Sequence, residues 1–124
     1  LRNPDDDDAT MEAPPLASFT ANKRAFSVLV RNEMFRVVTE LAHRREGELA
    51  GDMAAYWAEH DHIHIDADAR AVQWCEIDLD TGFAIQTLCD PAGFNEWVLD
   101  AEIDLAASDE KEQAVVIPVA VRRR

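Results

Sequence analysis

Cysteine is scarce, with two residues in 124, so a disulfide scaffold is excluded. Glycine is scarcer than usual. The four, Gly47, Gly51, Gly82 and Gly93, stand alone, and no Gly-x-Gly-x-x-Gly or Gly-Lys-Ser/Thr can be drawn, so a nucleotide phosphate finds no cradle. Gly-x-Ser-x-Gly and Cys-x-x-Cys are missing as well. No apolar run approaches the roughly 18 residues of a membrane span. The start, Leu1, Arg2, Asn3, Pro4 and then four aspartates, lacks the basic and apolar regions of a secretory signal. The expectation is a cytoplasmic protein without membrane contact.

Positive charge is also in short supply. Twelve Lys and Arg face 25 Asp and Glu, a net charge of -13 that disfavours a general nucleic-acid clamp. The deficit is uneven. Residues 22–45 hold six basic and two acidic side chains, whereas residues 46–121 hold two basic and 18 acidic ones.

What is present suits one domain. With 48% hydrophobic residues the chain can bury a core, and its length leaves no room for a second. Residues 1–21 combine Pro4, Pro14, Pro15 and the Asp5–Asp8 run without any period and read as a disordered or linker segment. That segment, the start at Leu1 and the terminal Arg122, Arg123 and Arg124 suggest a domain from the end of a longer polypeptide.

Residues 22–124 read as a single α+β domain. Phe26, Val30, Met34, Val37, Val38 and Leu41 recur at three and four, predicting a long helix over 22–45 with Asn22 as its cap and Gly47 beyond its end. A shorter helix is expected between Gly51 and Glu59. From His60 to Asp66 the period becomes two, predicting a strand. Residues 72–79 and 83–89 read as a hairpin around Asp80, Thr81 and Gly82, followed by strands over 97–105 and 114–121. Pro118 assigns the last to an edge or a bulge. The expected inward set is Cys75, Ile77, Phe83, Ile85, Trp97, Leu99, Ile103, Val115 and Ile117, packed on Val30, Met34, Val37 and Leu41. Helices followed by antiparallel strands form an α+β layer.

Three side-chain sets carry candidate chemistry. Alternating His60, His62 and His64 with Asp66 would project from one side of a strand and suit zinc or iron, although the spacing matches no complete metal motif and no metal is assigned. A His/Asp dyad using His62, His64 or Asp66 at a pocket walled by Trp57 or Trp97 is the enzymatic or ligand-binding alternative. Its bland counterpart makes the tryptophans packing residues. Cys75 and Cys89, placed on one inward face, read as buried thiols rather than a redox pair.

The third set is Arg31, Arg36, Arg44 and Arg45, which with the arginine tail could touch RNA phosphates or dock on acidic strands. An exposed strand face of Glu76, Asp78, Asp100, Glu102 and Asp104 favours contact with a basic protein surface.

The runs Arg24-Ala-Phe-Ser-Val-Leu-Val-Arg-Asn-Glu-Met-Phe-Arg36, Glu40-Leu-Ala42, Tyr56 through Asp61, Asp68-Ala-Arg70, Gln86-Thr-Leu-Cys-Asp-Pro91, Glu96-Trp97 and Asp100-Ala-Glu-Ile-Asp-Leu-Ala-Ala-Ser-Asp109 resemble the uncharacterised C-terminal domain of actinobacterial DEAD/DEAH-box RNA helicases. The likeness covers about residues 19–121, and the alternate histidines are not part of it. It implies an ATP-dependent helicase as parent, with ATP and Mg in the motor and no catalytic residue or cofactor in this domain. The motor domains of the same chain, RNA reached through the parent, and a second copy in a homodimer are the implied partners. The element order also resembles the cystatin-like (nuclear-transport-factor-two-like) half-barrel. Taken together, these readings predict a docking or oligomerisation domain.

Overall fold

The computed structural model describes residues 18–124, so the first 17 residues of the segment read as a linker lie outside the described residues. Phe19 meets Phe26 edge-on at 6.1 Å, and the Thr20 N–H donates to Asp109 at 2.7 Å.

Helix α1 spans Lys23–Ala42 and begins where expected, with the Asn22 side chain accepting the Ala25 N–H. It stops before Gly47. Arg44 takes the left-handed conformation (φ 63°), its N–H bonds the Leu41 carbonyl, and the Arg45 N–H reaches back to Glu40 at 2.9 Å. This is a Schellman closure with arginine where glycine is usual, so no glycine marks the end in the sequence. A 3-10 turn, Gly47–Leu49, leads into α2, Ala50–Trp57, which buries Met53 and Tyr56.

Four antiparallel strands follow in the order β1 (Cys75–Asp78), β2 (Phe83–Leu88), β3 (Trp97–Ile103) and β4 (Val116–Arg123), forming an open sheet. The helices and one sheet face enclose the core. The strand expected over 97–105 ends at Ile103, and helix α3, Leu105–Lys111, is a third helix in a stretch for which no element was expected. Asp104 stops β3 because its carboxylate caps the new helix through the Ala107 N–H, 2.9 Å away.

The hairpin register departs from the expectation. Asp78 pairs with Phe83, so the loop has four residues, Leu79 to Gly82, rather than three. One extra loop residue turns every β2 side chain over. Ala84, Gln86 and Leu88 face the helices, while Phe83, predicted inward, is 46% exposed and Ile85 shares its outer face. The shift also separates Cys75 and Cys89 onto opposite parities, and both are free thiols.

In β4, Ile117 lies opposite outward-facing Glu102 and is therefore exposed, correcting its inward assignment, while Val116 takes the inward place opposite Ile103. Val115 is half-buried just before the strand. Ala101 pairs with Pro118 and Asp100 with Ala120, leaving Val119 as an extra residue. The proline thus occupies an edge strand beside a bulge, where its missing N–H breaks no ladder. Cys75, Ile77, Trp97, Leu99 and Ile103 pack on the core with Val30, Met34, Val37 and Leu41 as predicted.

Gly82 is required at the loop's end. Its φ is +75°, and an added Cβ would stand 3.2 Å from the Ile103 carbonyl. Its own carbonyl accepts the Ile103 N–H at 2.7 Å. Gly82→Ala should therefore cost about 1–2 kcal/mol by thermal or urea unfolding, combining left-handed backbone strain with crowding. A loss below experimental error would show that this loop relaxes freely.

Candidate functional site

The segment His60–Asp66 is not a strand, which corrects the reading from alternation. A single backbone bond, His64 N–H to the Cys89 carbonyl at 2.9 Å, holds it beside β2. The Tyr56 hydroxyl donates to the His62 carbonyl (2.8 Å), and Asp66 accepts the Ala69 N–H (3.0 Å) to make a turn. With no ladder to impose alternation, His60 parts from the other two imidazoles. His60 turns inward toward Asp90, whereas His62 is exposed, bonded to Asp61 and edge-on to His64 at 5.1 Å. Among the described residues no group of three His, Cys, Asp or Glu side chains could hold a metal ion.

His64 and Asp66 do come together. They line a cavity of about 350 Å³ with Asp68, Trp74, Cys89, Asp90 and Asn95. Trp57 lies in a neighbouring cleft with His60 and Asp61, reached across Pro91 and Ala92. Trp97 belongs to neither. It is buried, meets Tyr56 edge-on at 5.9 Å and donates to Glu59, so the packing reading holds for it.

The buried His–Asp approach is one the sequence did not single out, His60 to Asp90, at 3.8 Å. The Asp90 carboxylate is fully buried and accepts the Phe94 N–H (3.1 Å) and the Asn95 N–H (2.7 Å). Burial pushes its pKa up, but the amides of Asn95, Phe94 and Gly93 together with His60 outweigh this and hold it below the ordinary value. A carboxylate so held is a poor proton acceptor, and its geometry is that of a loop anchor. The sequence signal was Asp90-Pro91 with Gly93 and Asn95, a turn composition that gives no hint of His60.

The thiols are equally quiet. Burial pushes Cys75 up to about 11 and also raises Cys89, so neither is a ready nucleophile.

A family model described as a domain of unknown function (DUF3516) matches residues 1–121. The chain belongs to the DUF3516 family. No curated protein and no solved structure matches it.

The basic side chains of this DUF3516 domain are largely engaged. Arg36 binds Glu33 at 2.6 Å, Arg45 binds Glu40 at 2.8 Å, and Arg44 stacks 3.6 Å over Trp57 while donating to the Asp61 carbonyl. Trp57 in turn donates to Glu46. Arg31 is half-buried near Cys75. The tail follows suit, with Arg122 on Asp100 at 2.6 Å, Arg123 on Glu59 and Glu96, and Arg124 on Thr87 and 3.6 Å from Glu76. Of the acidic face expected over the strands, Asp104 is withdrawn as the α3 cap and Asp100 is covered by Arg122, leaving Glu76, Asp78 and Glu102 on the outer side. Among the described residues no helix is long and apolar enough to cross a membrane.

Proposed function

We propose that this DUF3516 domain is a non-catalytic docking module at the C-terminus of an ATP-dependent RNA helicase, acting in the cytoplasm on the motor of its own chain. The observation that carries this reading is the internal use of cations. Arg36 on the helix, Arg44 and Arg45 just beyond its end, and all three tail arginines already meet acidic, carbonyl or aromatic partners, so the surface offers acid rather than base. Such a surface suits a protein contact better than a phosphate backbone. ATP and Mg chemistry, and RNA itself, belong to the motor. The finer fold proposed is the cystatin-like half-barrel, for which helices against one sheet face speak. A homodimer is a second arrangement that would serve the same docking role.

The alternative, a small enzyme or ligand binder at His64 and Asp66, draws on the 350 Å³ cavity. Against it stands Asp90, whose two oxygens each already accept a backbone N–H.

RNA titration across salt tests the proposal. No binding by this chain at physiological salt and a stable complex with the motor fragment are expected. Micromolar binding with a slope near 0.7 per phosphate, lost when Arg31, Arg36, Arg44 and Arg45 become alanine, would place the domain among RNA binders instead.

A further inference from the structure

The register shift in the hairpin gives the outer sheet face an unexpected character. One row crosses all four strands as Asp78, Phe83, Glu102 and Ile117, and a second as Glu76, Ile85, Asp100 and Ala120. The two ends of this face differ. At one end Thr87 and Val98 are buried while Arg122 lies on Asp100 and Arg124 lies on Thr87. At the other end Phe83 and Ile117 stay 46% and 45% exposed. Asp78 and Glu102 stand on either side of Phe83, and no cation among the described residues is within 4 Å of either carboxylate. Beside Ile117 a depression of about 350 Å³ is lined by Asp80, Glu102 and Asp104. Asp80 already faces Lys23 at 3.7 Å and Asp104 caps α3, so the acids without a cation here are Asp78 and Glu102. Large apolar side chains flanked by such acids are costly to leave in water and have an identifiable complement.

We propose that this end of the outer face is where the docking partner binds, and that the partner is a protein segment presenting an apolar side chain flanked by Lys or Arg. Phe83 is the anchor, with Ile117 completing its apolar bed. Asp78 and Glu102 receive the flanking cations, and the Asp80 depression accommodates a long basic side chain. Charge decides the occupant. A second copy in a face-to-face pair would set Asp78 and Glu102 against like charges, and an RNA or an anionic membrane would meet the same repulsion. The bulge and Pro118 in β4 discourage strand addition at that edge, leaving the face rather than the edge as the contact. This assignment rests on the docking reading above and names its surface.

The test is an NMR titration of the labelled 124-residue chain with a decapeptide of alternating lysine and leucine, and with the motor fragment. Both are repeated with Phe83→Ser and with the double variant Asp78→Lys, Glu102→Lys. Phe83 and Glu102 are exposed, so circular dichroism should show unchanged folds for Phe83→Ser and for Glu102→Lys alone. Asp78 also accepts the Asp80 and Thr81 N–H groups of the hairpin loop, so the single Glu102→Lys variant, expected to weaken binding in the same direction, separates lost charge from a disturbed loop. Shifts should centre on Phe83, Ile85 and Ile117. Phe83→Ser should weaken binding about thirtyfold, as loss of an aromatic anchor does. The double variant should abolish the response and its salt dependence. Shifts centred on His64 and Asp68, or variants that bind like the parent, would overturn the assigned face. A dimer in sedimentation that Phe83→Ser dissolves would overturn the assigned occupant. Peptide binding on this face with no motor binding would leave the face standing and defeat the helicase reading alone.

Discussion

Tyr56→Ala should destabilise the domain by about 4 kcal/mol, a lowering of the melting temperature of roughly 15 °C. Tyr56 has no exposed surface and lies edge-on to Trp57 at 5.0 Å and to Trp97 at 5.9 Å, so alanine leaves a cavity between two large rings. Its hydroxyl adds a separate effect. The bond to the His62 carbonyl ties α2 to a segment that otherwise has one backbone bond to the sheet, at His64. Burial, with nearby Asp90, Cys89 and Asp61, raises the phenol's pKa, so the hydroxyl stays a donor across the physiological range. Tyr56→Phe keeps the rings and removes only that donor, at a cost of about 1 kcal/mol. Urea unfolding separates the two variants, and hydrogen exchange at Ile63 and His64 should quicken in the phenylalanine variant. Equal losses from both substitutions would mean that the aromatic packing contributes little.

The elements whose signal is local are legible in the amino-acid sequence. The three-and-four spacing of Phe26, Val30, Met34, Val37 and Leu41 placed α1, and Pro118 placed β4 at an edge beside a bulge. What failed depended on a choice between near-equal local patterns. Counting Leu79 as strand rather than loop reversed β2 and put Phe83 and Ile85 inside, because Phe-Ala-Ile-Gln-Thr-Leu is apolar enough on either parity. The stretch His60–Asp66 alternates without having a partner strand, and alternation alone cannot supply one. Helix α3 was concealed by Asp104, which fits both the polar side of a strand and a helix cap.

The site was less legible than the fold for a related reason. The residues that combine are distant in sequence, and their pairing depends on how loops pack. His64 and Asp66 were singled out and do share a cavity, but Asp90, some 25 positions on, completes it. Trp57 and Trp97 carry identical side chains. One lines a cleft because Arg44 stacks on it from a left-handed helix terminus, and the other is interior because β3 points it at Tyr56. Arginine commitment is similarly invisible. Arg122 reaches Asp100 because antiparallel strands β3 and β4 set Val98 opposite Arg122, two residues from Asp100 on the same face.

The second large effect belongs to Asp90. Asp90→Ala should cost roughly 3 kcal/mol at neutral pH, since it strips the Phe94 and Asn95 amides of a charged acceptor and leaves His60 without its carboxylate. The pH dependence follows from the direction of the shift. Asp90 is held below its ordinary value near 3.8, so the folded state binds its proton more weakly than the unfolded chain does. Its contribution is therefore fully present above the unfolded value and is lost as pH falls through the lower, folded one. Asp90→Asn retains the shape and one oxygen but cannot ionise. The stability gap between the parent and Asp90→Asn should accordingly be constant from about pH 6 upward and shrink steadily below about pH 4. Chemical denaturation at a series of pH values measures this directly, and subtracting the two curves removes the other carboxylates, which titrate alike in both. A gap that stays the same down to about pH 2 would mean that the Phe94 and Asn95 amides hold the loop without needing a charged acceptor.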